Sequence, residues 1–132
     1  MIDATLLLRQ INPSWVQRGH VTSQAFKPTK KDERRLSVYD GDQVSAEESW
    51  EDFTGLRGYP SIGVLAVSVG ECHSVDLAVE PDPERFPAHV EIVFDEYSNY
   101  EIITKAKLLK RFAQLRGWQY QANLEPQEGQ ST

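Results

Sequence analysis

One cysteine, one methionine and no long apolar run set the first limits on this 132-residue chain. A lone thiol cannot close an internal disulfide, and there is no second cysteine to share a thiolate zinc site. The least polar run, Ile62–Val69, is far short of the roughly 20 residues that span a bilayer, so no membrane-spanning helix is expected. Met1-Ile-Asp3 lacks the basic start of a secretory signal, and Leu6-Leu-Leu8 is too brief to be its apolar centre. A reducing compartment, the cytoplasm, is therefore the expected location. The three histidines (20, 73 and 89) have no ligand spacing such as His-x-x-x-His. There is no glycine-rich phosphate loop and no Gly-x-Ser-x-Gly elbow. Neither a metal nor a cofactor is expected.

Positive charge is also scarce. Fourteen Lys and Arg face twenty Asp and Glu, a net charge of −6 that argues against general nucleic-acid binding, which depends on neutralising phosphates. The distribution is uneven. Asp40–Asp52 holds six acids and no base, and Glu71–Glu96 holds eight acids against Arg85. Basic residues gather in Lys27–Arg35 and along Lys105, Lys107, Lys110, Arg111 and Arg116. Such a dipolar surface can orient a partner, or can simply be a set of solvated faces. The basic stretch, with Trp118 and Tyr120 as stacking groups, is the weak point of contact expected for RNA or DNA.

What is present reads as one α+β domain over residues 1–120, with 121–132 expected as a disordered tail. The expected architecture is a mixed or mostly antiparallel sheet with two main helices packed on one face. Ile62–Val69 is rich in β-branched residues and bounded by Pro60 and Gly70, the pattern of a strand buried on both faces. Thr5–Ile11, His20–Phe26, Leu36–Tyr39, Ser74–Val79 and Ala88–Phe94 read as further strands, and Trp118–Tyr120 as a short last one. Asn12-Pro13 opens a short helical turn. Ser45-Ala-Glu-Glu48 and Ser98-Asn-Tyr-Glu101 are capping boxes that open the two helices.

Four residues stand out as candidate site groups. His89 opens an otherwise apolar strand behind the acidic turn Glu80–Glu84. Paired with Glu91 or an acid of that turn it could act as general acid or base, or simply fix the start of the strand. Ser23 and Ser37 occupy strand positions where valine is the default, so they could face each other or Arg9 across a pocket, or lie on a wet sheet face. Arg9, among apolar neighbours, could bind an anion with its planar fork. Cys72-His73 sits on an expected strand, where neighbours point to opposite faces and cannot form a nucleophile–base pair. Cys72 is therefore read as a small core residue.

Arg9-Gln-Ile-Asn-Pro13, Gly19–Phe26, Leu36-Ser-Val38, Gly63-Val64 and Pro87-Ala-His-Val90 resemble a loosely defined family of small bacterial proteins with no assigned activity. The resemblance runs over most of residues 6–118. It implies an accessory role near phage, toxin or defence genes. Two functions follow as expectations. The first is a small accessory or regulatory interaction domain that binds a protein partner. The alternative is a transferase or hydrolase acting on a nucleotide or nucleic-acid-derived substrate, using Arg9, Ser23, Ser37 and His89.

Overall fold

The structure is a computed structural model and describes residues 1–28 and 34–122. Residues 29–33, in the middle of the basic stretch Lys27–Arg35, and the tail beyond residue 122 lie outside the described residues. The architecture is α+β. Strands β1 (Leu6–Gln10), β4 (Arg35–Asp40), β5 (Gly63–Ser68), β6 (Ala78–Pro81), β7 (His89–Val93) and β8 (Tyr120–Gln121) form one six-stranded sheet in the order β6-β7-β4-β1-β5-β8. Every pairing in it is antiparallel. Strands β2 (Val16–Gln17) and β3 (His20–Val21) make a separate two-stranded ribbon. Among the described residues no helix is long and apolar enough to cross a membrane.

Side-chain alternation sorts the strands onto two faces. Leu7, Leu36, Val38, Leu65, Val67, Val90 and Ile92 form the larger core with α2 (Val69–Ser74) and α3 (Asn99–Arg116). Leu8, Tyr39, Val64 and Ala66 pack on the other face against Trp50 and Ala46 of α1 (Ala46–Glu51) and against Phe53 just beyond it. The helices thus divide between the faces. β5 is buried along its whole length, as its apolar run demands. On α3 the buried stripe is Ile102, Ala106, Leu109 and Ala113, whereas Leu108 and Leu115 are exposed.

Both expected capping boxes form, with the Ser hydroxyl accepting the N3 amide and the Glu carboxylate accepting the N-cap amide. Two expected strands are corrected. Ser74–Val79 is largely not strand: α2 follows β5 directly, opened by a third capping box in which Ser68 and Glu71 serve each other. Cys72 and His73 therefore lie on a helix, the thiol in the core and the imidazole exposed.

His20–Phe26 is strand only over its first two residues. Arg18 and Gly19 both take positive φ, 52° and 79°, and close a two-residue hairpin between β2 and β3. The chain then coils as a 3-10 turn, Ser23–Phe26, which buries Ala25 and Phe26 completely against the α3 side of the sheet. The polar residues that broke the strand pattern belong to this turn.

Candidate active site

The β1–β4 ladder is short. Its register pairs are Leu7 with Asp40 and Leu8 with Tyr39, and beyond Leu8 the strands part. Carbonyls left in such a split need donors. Arg9 supplies them: its Nη1 donates to the Ser37 carbonyl at 2.9 Å and its Nε to the Ala25 carbonyl at 2.8 Å, while its Cζ stacks over Trp15 at 4.8 Å. By alternation Arg9 projects with Leu7 and Ile11 toward the α3 side, opposite the face that carries His89, and the residue is buried.

On the α1 face the split opens into a cavity of about 400 Å³. Its floor is β1, β4 and the start of β7, including Gln10, Ser37, Tyr39 and His89. Phe53, Leu56, Arg57, Tyr59, Arg85 and Phe86 line its sides. Gln10 is held by a closed buried network. Its Nε2 donates to Ser49 Oγ and its Oε1 accepts from Ser61 Oγ, each at 2.9 Å.

Two polar chains meet this cavity. In the first, Ser37 and His89 face the same side from adjacent antiparallel strands. His89 Nε2 lies 3.0 Å from Ser37 Oγ, and its Nδ1 lies 3.1 Å from Asp82 Oδ2. In the neutral tautomer that donates its Nδ1 proton to Asp82, Nε2 is the acceptor for the serine hydroxyl. His89 is 1% exposed, covered by Phe86 with ring centroids 4.8 Å apart, whereas Ser37 is half-buried and lines the cavity. Of this pair Ser37 is thus the more exposed, with His89 beside it in the cavity floor.

The second chain runs from Tyr39 to Asp52 to Arg57. The phenol donates to Asp52 Oδ2 at 2.6 Å, and Arg57 Nε donates to the same oxygen at 2.7 Å. Arg57 Cζ sits 4.0 Å from the Phe86 ring centroid, a cation–π contact. Burial and the bond to Asp52 push the Tyr39 phenol well above its ordinary pKa. Burial would raise Asp52, but the Tyr39 hydrogen bond and the Arg57 guanidinium outweigh it and hold the carboxyl below its ordinary value. The bond to Asp52 likewise raises Arg57.

Of the four site residues expected from sequence, Ser37 and His89 meet within hydrogen-bond distance on one face. Arg9 reaches the cavity's edge only through the split, with its fork engaged by the two carbonyls. Ser23 is corrected: it stands in the 3-10 turn and does not line the cavity. Asp82 was visible in sequence only as one acid of the Glu80–Glu84 turn. Strand neighbour Glu91 instead pairs with Arg35, which also pairs with Glu80 and Asp95.

Arg57 and Asp52 were missed because five residues is not a same-face spacing on an α-helix. They meet because α1 continues as a π-helical turn, Asp52–Leu56, in which the Arg57 amide donates to the Asp52 carbonyl.

Asp82, His89 and Glu91 carry ligand-type atoms that all lie within 4.8 Å of one another and could approach a metal ion. Arg35 beside Glu91 and the two bonds already made by His89 compete with that use. On α3, Lys105 Nζ donates to the Val75 carbonyl and stacks on Tyr97, and Arg116 pairs with Glu71. Two of the five basic residues expected at a nucleic-acid surface are therefore engaged within the fold. No family model, curated protein sequence or solved structure matches the chain, so the chemistry of the cavity itself is the ground for its function.

Proposed function

We propose that the chain is a small transferase or hydrolase acting on a nucleotide or nucleic-acid-derived substrate, with Ser37 and His89 as its working groups. The observation that carries this is the Asp82–His89–Ser37 relay, 3.1 and 3.0 Å, ending on a hydroxyl that opens into the cavity. In the proposed step Ser37 Oγ attacks an acyl or phosphoryl centre and gives its proton to His89 Nε2. His89 then returns that proton to the leaving group, and Asp82 stabilises the imidazolium in between. Attack by water or an acceptor hydroxyl, with His89 again taking the proton, frees Ser37. The aromatic and arginine side chains in the walls fit a planar, anionic substrate.

The test is turnover of chromogenic carboxyl esters and nucleotide phosphodiesters by the purified chain. Ser37→Ala and Asp82→Asn should each lower kcat by roughly a hundredfold or more with unchanged thermal unfolding. Equal rates in the parent and Ser37→Ala would remove the reading.

A second reading, an accessory domain that binds a protein partner, is favoured by the apolar lip at the cavity mouth, where Leu56 is 84% and Tyr59 56% exposed. It suits the resemblance to bacterial proteins near phage, toxin or defence genes, and a cytoplasmic setting. Co-expression with the products of flanking genes tests it. A complex should form with the parent chain and weaken in Leu56→Asp, and absence of any complex would set this reading aside.

A further inference from the structure

We infer that Arg57 is the cavity's anion-binding side chain, and that the phosphate of a nucleotide sits on its guanidinium while the base lies against the lip formed by Phe53, Leu56 and Tyr59. This rests on the nucleotide reading above and gives Arg57 the part first expected of Arg9. The remaining arginines near the sheet are engaged differently. Arg9 projects to the opposite face and donates to two carbonyls, and Arg35 is shared among three carboxylates.

Arg57 is held on three sides yet not used up. Asp52 takes Nε, Phe86 covers one flat face, and the Tyr39 hydroxyl braces Asp52 from behind. No carboxylate or carbonyl among the described residues accepts from its Nη groups. A guanidinium oriented this way, half-buried in a cavity wall, offers the two parallel N–H donors that match a phosphate. The fixed geometry means that little rotamer freedom is lost on binding.

Arg85, an exposed lining residue without an ion pair among the described residues, adds a second positive charge. The lip supplies what a base needs. Phe53 and Tyr59 are neighbours with ring centroids 5.3 Å apart, and Tyr59 is an exposed residue. Bringing a net-negative protein and an anion together requires a local cation of this kind, since the chain as a whole repels phosphate.

Calorimetric titration of the full chain with AMP, with adenosine and with inorganic phosphate at low salt tests the assignment. AMP should bind at least about tenfold more tightly than adenosine, and that advantage should vanish in Arg57→Gln while adenosine affinity stays constant. Arg57→Lys, which keeps the charge and loses the fork, should fall between the two. Its thermal midpoint reports whether the fold is intact. Equal affinity of the parent for AMP and adenosine overturns the inference, as does AMP binding unchanged in Arg57→Gln. No binding of AMP up to about 10 mM would overturn it too. Ser37→Ala separates this from catalysis: it should abolish turnover and leave the AMP preference intact. A chain that prefers AMP but turns over nothing would uphold the anion site and refute the enzyme.

Discussion

At the scale of single residues, burial decides what each polar group can do. Cys72 is fully buried, and its thiol is pushed up to about 12, first by burial and then by the charge of Glu71. The thiolate is the reactive form, so native protein should resist iodoacetamide at neutral pH and label fully in denaturant. Fast labelling of folded protein would contradict this placement. Arg9 illustrates the opposite use of burial. Replacing it with Met strands the Ala25 and Ser37 carbonyls, at a cost of at least about 2 kcal/mol in urea unfolding. A loss under half of that would show that the two carbonyls find other donors.

At the scale of elements, caps set the helix starts. Ser98→Ala should cost about 1 kcal/mol by removing the hydroxyl that accepts the Glu101 amide, and Ser68→Ala should cost a similar amount at α2. Only the boxes at 45 and 98 are legible in the sequence, because each follows an acidic turn, Asp40-Gly-Asp42 or Asp95-Glu96, and not an apolar strand. Ser68 hides at the end of the apolar run of β5, where Val69 and Gly70 read as the close of a strand. His20–Phe26 fails as a strand for a related reason: two residues of strand give way to a 3-10 turn. β5 was legible from its continuous apolar run and α3 from a helical period that persists over many residues, whereas the sheet was expected only as mixed or mostly antiparallel. The Ser37–His89 pair was legible as two polar intruders in apolar strands. Their meeting was not, because it depends on the β4–β7 register that sets Tyr39 opposite His89. The Asp52–Arg57 pair needed the π-helical turn, which no α-helical spacing announces.

At the scale of the whole molecule, the carboxylates set the acid limit. Asp52 and Glu71 both sit below their ordinary values of 3.8 and 4.5: burial opposes the shift at each, and Arg57 with Tyr39, or Arg116 with the Ser68 amide, overcomes it. The unfolded chain then binds more protons than the folded one in acid. Stability is therefore full above about pH 5 and falls as pH drops through the depressed native values. Thermal midpoints measured from pH 7 to pH 3 should be flat and then decline, with a smaller acid loss in Asp52→Asn. An identical decline in that variant would show that Asp52 carries none of it.

The segment from β6 to β7 brings Asp82, Arg85 and Phe86 to the cavity with Pro81, Pro83 and Pro87 spaced among them. Three fixed φ angles in seven residues leave that wall little to reorganise when a ligand arrives. Empty and filled forms should therefore superpose there, and a fast, temperature-insensitive association should accompany whatever the cavity admits.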